Sequence, residues 1–124
     1  MAETAEKMKK KKIIDKGIEE GASKLTPEKI EKTINEVLQS ETGARLKTYV
    51  ETCVHCGLCS EACHYYLSQD KDPKFSPAGK VKQTIWEIIK KKGRVDTEFI
   101  KDACEIAYTE CNLCRRCAMY CPFG

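Results

Sequence analysis

Cys53-Val-His-Cys56-Gly-Leu-Cys59-Ser-Glu-Ala-Cys63 and Cys111-Asn-Leu-Cys114-Arg-Arg-Cys117-Ala-Met-Tyr-Cys121 are two copies of one spacing, Cys-x2-Cys-x2-Cys-x3-Cys. The second copy runs directly into Pro122, and 47 residues separate the two. Together they use all but one of the nine cysteines in a chain of 124 residues. A repeat of this kind, built from a rare residue, dictates the reading of everything around it.

The spacing is that of bacterial two-cluster ferredoxins. There, three thiolates of a run wrap one corner of a [4Fe–4S] cube and the fourth reaches across to ligate the other cube. Eight thiolates complete two cubes with none left over. The expected ligands of cluster 1 are therefore Cys53, Cys56, Cys59 and Cys121, and those of cluster 2 are Cys111, Cys114, Cys117 and Cys63. No residue is assigned a catalytic role. A structural zinc site would take two ligands from each Cys-x2-Cys pair and leave the third cysteine of each run idle. A disulfide framework calls for an oxidising compartment and usually an even count, against nine cysteines and no signal peptide here.

Length and composition set the remaining bounds. The chain suits one modest domain, with 41% hydrophobic residues and no apolar stretch long enough to cross a bilayer. Thiolates that hold iron require a reducing interior, which points to the cytoplasm of an organism living without oxygen. The formal charge of +3 misleads. Two oxidised four-thiolate cubes at roughly −2 each bring the total to about −1. Charge therefore makes no case for nucleic acid.

Three regions follow from the pattern along the chain. Residues 1–24 form a basic N-terminal segment in which Lys7, Lys9, Lys10, Lys11 and Lys12 cluster, read as a solvated terminus in preference to an arm for an anionic surface. Residues 25–43 form a helix, with Thr26 as N-cap, Pro27 in the first position and Gly43 as its end. Its apolar stripe, Ile30, Ile34, Val37 and Leu38, either covers the flank of this domain or packs on a neighbouring subunit. Residues 44–124 form the two-cluster unit. A short helix carrying Leu46, Tyr49 and Val50 leads into the first run. Between the runs, Ser76-Pro77 opens a helix with Val81, Ile85, Ile88 and Ile89 on its inner face and Gly93 at its close. Asp96 or Thr97 caps the next, with Phe99, Ala103, Ile106 and Ala107 inward. No alternating strand pattern appears, so the fold class is all-α, with short helix, cysteine loop and helix occurring twice.

Residues 53–67 and 109–124, with Asp-Pro-Lys-Phe-Ser-Pro-Ala-Gly-Lys-Val at 72–81, resemble the iron–sulfur subunits related to heterodisulfide reductase. The likeness is to the subunit of the membrane redox complex that works beside dissimilatory sulfite reductase. This resemblance implies an α-helical ferredoxin fold, which the residue pattern shows to be preceded by N-terminal helices. It implies electron transfer through two [4Fe–4S] clusters within a membrane-associated redox complex of anaerobic sulfur or sulfate metabolism. The implied partners are other redox subunits, including a membrane subunit, at the inner face of the cell membrane. In those relatives a further cysteine-rich region handles disulfide-type substrates. Nothing in these residues carries that chemistry, so the chain reads as the wire and not the active site. The alternative is the N-terminal part of a disulfide-reducing iron–sulfur enzyme whose catalytic region lies outside this chain.

Several residues flank the ligands. His64 stands where the second run has Pro122, and an imidazole there could hydrogen-bond a cluster sulfur or take up a proton. His55 lies within the first loop and is expected to be partly solvated. Arg115 and Arg116 place positive charge beside cluster 2, which raises its potential. Cys104, the ninth cysteine, and Trp86 are read as packing residues.

Overall fold

The computed structural model describes residues 15–124, and the lysine cluster at 7–12 lies outside them. The Asp15 carboxylate accepts a hydrogen bond from Gly17 N at 2.7 Å and so caps α1 (Lys16–Ser23). Part of the expected basic segment is therefore helix, with Ile18 and Ala22 turned toward the later helix α8 (Thr97–Tyr108) on which α1 packs. Helix α2 (Pro27–Gln39) opens as the sequence indicates, with Thr26 Oγ1 accepting from Lys29 N.

It does not end at Gly43. Ser40 closes α2 and opens α3 (Glu41–Thr52): its N–H donates to Val37 O, and its hydroxyl accepts from Gly43 N. A residue able to cap both ends lets two helices abut without a loop. Gly43 is instead buried inside α3, where an added Cβ would collide with the carbonyls of Val37 and Leu38. Its missing side chain is what allows α3 to pack against the last turn of α2.

The stripe on α2 turns toward this chain. Ile30 is only 4% exposed, and Ile34 lies so close to Gly93 that a Cβ there would stand 2.9 Å from Ile34 Cγ2. Leu38 is half-buried and only Val37 is left at the surface. The stripe therefore covers the flank of its own domain.

After the first cysteine loop come α4 (Leu58–Glu61), α5 (His64–Ser68) and a 3-10 turn (Pro73–Phe75). A continuous helical run follows as α6 (Pro77–Val81), a π-helical turn (Lys82–Trp86) and α7 (Glu87–Lys90). Ser76 caps it by accepting from Gly79 N, and Gly93, at φ 77°, ends it by donating to Ile88 O. The sequence pattern shows this run as one α-helix; the π turn widens its middle and sets Val81, Lys82, Ile85 and Trp86 along one groove. Asp96 caps α8 by accepting from Phe99 N at 2.7 Å. The last helix is α9 (Arg116–Tyr120), which packs on α4. No strand occurs among the described residues, as the all-α expectation requires.

The duplication extends to single backbone angles. In the first loop His55 (φ 53°) and Gly57 (φ 82°) flank Cys56 in the left-handed region. In the second, Leu113 (φ 56°) and Arg115 (φ 62°) flank Cys114 in the same way. These turns wind each loop tightly enough to bring three successive thiols to one side.

The apolar core around these loops is slight: its buried members are Ala22, Ile30, Ala62 and Val95, and no large side chain is fully enclosed among the described residues. Gly43→Ala should cost about 1–3 kcal/mol through backbone overpacking, read as a lowered unfolding temperature. A variant as stable as the parent would remove the close α2–α3 contact. In Gly57→Ala the added Cβ meets no neighbouring atom, so its expected cost of about 1–3 kcal/mol is backbone strain alone. Arg115→Gly, at the equivalent site, should be neutral or stabilising in the same measurement; destabilisation by both would mean that the two loops are not alike.

Candidate metal centres

Helix ends deliver the thiols. Cys53 is the residue at which α3 stops, Cys59 lies on α4, and Cys63 precedes α5. Cys117 lies on α9 and Cys121 at its end, while Cys111 and Cys114 sit in the loop between α8 and α9. Because α4 and α9 pack against each other, the fourth cysteine of each run is carried to the other run's loop.

Two cavities result. Cys53, Cys56, Cys59 and Cys121 line the first, with His55, Gly79 and Lys82 in its walls. Cys63, Cys111, Cys114 and Cys117 line the second, with Lys80, Ile106, Arg115 and Arg116 around them. Each cavity gathers three cysteines of one run and one of the other. The donor set suits an iron–sulfur cube, since soft thiolates are its usual ligands. No three Cys, His, Asp or Glu side chains among the described residues converge on a point where one metal ion would sit. A cube does not need them to, because each thiolate binds its own iron.

Backbone and burial act on these sulfurs in opposite senses. Leu113 N donates to Cys111 Sγ at 3.5 Å, a bond of the kind that stabilises a thiolate ligand. Burial pushes the Cys117 thiol up; the Ala118 N–H works against that shift, and Cys59, Cys111 and Cys114 nearby add to it. A bare thiolate is therefore disfavoured at Cys117, and iron would have to displace a proton to bind there.

The flanking residues divide between the two sites. His55 is exposed, with Nδ1 3.6 Å from Cys53 Sγ. His64 is exposed at the lip of the second cavity, its ring tilted against Tyr65 at 4.6 Å between centroids. Arg115 and Arg116 are exposed on the same side. Cys104 belongs to neither cavity and sits on α8 at its contact with α1, near Ile18, Ala22 and Ile100. Trp86 is 40% exposed, so it is not simply core; with Leu46, Tyr49, Val50, Val81 and Ile85 it lines the groove that reaches Cys53, Cys59, Cys117 and Cys121.

One residue had no signal in the pattern. The half-buried Lys80 places its ammonium 4.7 Å above the Tyr65 ring and donates to the backbone carbonyl of Glu110. It thereby joins the segment after Cys63 to the segment before Cys111. Nothing in its local sequence marks it out, because both partners are distant along the chain.

Comparison with known proteins agrees with this geometry. The chain is 32% identical over 101 residues to the "Hdr-like menaquinol oxidoreductase iron-sulfur subunit 2" of Archaeoglobus fulgidus, a match over 68% of this chain and 17% of that protein. It is 31% identical over 98 residues to the "Hdr-like menaquinol oxidoreductase iron-sulfur subunit" of Archaeoglobus profundus, again over 68% of this chain and 17% of the relative. The chain thus spans about one-sixth of the length of these curated relatives. No solved structure matches it significantly. Residues 49–124, more than half of the chain, match the family described as a 4Fe-4S dicluster domain. Their two cysteine runs around two thiol-lined cavities are what that description requires, and the chain belongs to the 4Fe–4S dicluster domain family, whose cofactors are two [4Fe–4S] clusters.

Proposed function

We propose that residues 44–124 form a two-cube wire that carries single electrons within a heterodisulfide-reductase-like menaquinol oxidoreductase complex. In this reading Cys53, Cys56, Cys59 and Cys121 hold one cube, and Cys63, Cys111, Cys114 and Cys117 hold the other. The observation that supports it is the sorting of the eight thiols into two cavities by the crossed pattern, three from one run and one from the other. Cysteines of both sets also border one groove, so the two centres are neighbours. The cubes supply reversible one-electron chemistry when bound. The chain's own residues hold them apart, orient their ligands and set the charge around them.

The partners in this proposal are the other redox subunits of such a complex, among them a membrane subunit, at the inner face of the cell membrane. No helix among the described residues is long and apolar enough to cross a membrane. A second reading draws on length: because the chain covers 17% of its relatives, it also suits the front of a longer disulfide-reducing enzyme. The products of the whole reading frame, purified with their companions, separate the two. A separate polypeptide bound to other redox subunits favours the wire, and a continuous chain with a further cluster region favours the enzyme.

Anaerobically purified protein should contain about eight iron and eight sulfide per chain, as two cubes require. Cys63→Ser should chiefly damage the cube of the second run, and Cys121→Ser that of the first, in the electron paramagnetic resonance of the reduced protein. Damage confined in each case to the substituted residue's own run would overturn the crossing. Burial that holds the Cys117 proton more tightly also makes cube retention depend on pH. Acid favours the thiol over the ligated thiolate, so loss of iron to a chelator should be faster at about pH 6 than at about pH 8. Equal rates would mean that ligand protonation does not limit release.

A further inference from the structure

The surroundings of the two cavities differ in charge. The first has Lys82, which is exposed, as its one lining Lys or Arg. The second is lined by Arg115, Arg116 and Lys80. Both arginines are exposed, where water and salt screen them. Lys80 is half-buried and held in place on two sides, by the Tyr65 ring at 4.7 Å and by the Glu110 carbonyl. A pinned, partly desolvated ammonium acts on a neighbouring charge far more strongly than a mobile solvated one.

Reduction adds one electron to a cube, taking it with its four thiolates from about −2 to about −3. A fixed positive charge beside it favours that step. We infer that Lys80 is the residue that holds the second cube's potential above the first, making the cube of Cys63, Cys111, Cys114 and Cys117 the electron sink of the pair. The inference rests on the proposed electron-transfer role. It adds a direction: electrons entering at the first cube settle on the second. The two anchors of Lys80 explain why its charge stays where it acts. Tyr65 stands two residues after Cys63 and Glu110 one residue before Cys111, so the ammonium is tied to both segments that supply ligands to that cavity.

The test is a redox titration of the intact, cluster-loaded protein followed by electron paramagnetic resonance, with the two signals assigned through Cys56→Ser and Cys114→Ser. In Lys80→Met the midpoint of the second cube should fall while that of the first stays in place. Lys80→Arg, which keeps the charge, should restore most of the parent value. Raising the salt concentration should leave the Lys80→Met difference largely intact, whereas the shift on Arg116→Met should shrink. An unchanged second midpoint in Lys80→Met, or an equal fall at both cubes, would overturn the inference. Should Lys80→Met fail to keep its second cube, Tyr65→Leu retains the charge but frees it, and an unaltered midpoint there would count equally against it. A parent protein in which neither cube accepts an electron defeats the electron-transfer reading itself, an outcome distinct from reducible cubes that ignore Lys80.

Discussion

Everything in this structure leans on the pairing of α4 with α9, because that contact carries the last cysteine of each run to the loop of the other. Only four apolar side chains are buried among the described residues, too few to hold a chain of this length together by burial alone. Under the crossed assignment each cube is a cross-link between the two halves. Ligation free energy then becomes folding free energy, as in other small metal-dependent domains. On that assignment the fold and the metal centres are one device, which accounts for helices as short as α4 and α5 lying in so thin a core.

Electrostatics imposes the second constraint. Two anionic cubes side by side repel each other, and each becomes more negative on reduction. The chain meets this with cations of different kinds: exposed arginines on the second loop, which salt can screen, and a half-buried lysine fixed between two cysteine-bearing segments. The pseudo-repeat in the backbone is therefore not a repeat in charge. Where the first loop uses Gly57 for its left-handed turn, the second accepts the strain of Arg115 at φ 62° and gains a cation.

The N-terminal helices serve this unit as a brace. Helix α2 buries Ile30 and lays Ile34 against Gly93 at the end of the inter-run helix, and α1 lies along α8, which leads into the second loop. The likeness to the Archaeoglobus subunits extends over 68% of the chain. Their greater length gives this unit the character of a module, one that larger redox proteins carry among other parts.

Legible in the sequence alone were the helical class, the cap residues Thr26 and Ser76, a third cap at Asp96 or Thr97, the family, and the eight cysteines proposed as ligands. These were legible because each depends on near neighbours: a cap acts over about three residues, and a ligand run is defined by its own spacing. Even the α1 helix had a local signal in Asp15 ahead of Ile18 and Ala22, hidden by two glycines and a run of charge. What Gly43 does depends on contacts made only in the folded chain. A glycine near a helix end reads as a stop, and only the approach of the Val37 and Leu38 carbonyls reveals it as a packing site. Folding also sets which way the α2 stripe faces, because an apolar stripe looks the same whether its cover is this chain or another. Lys80 belongs here as well. Its partners, Tyr65 and Glu110, lie 15 and 30 residues away along the chain, and no local pattern records a contact that exists only when the helices between them have folded back.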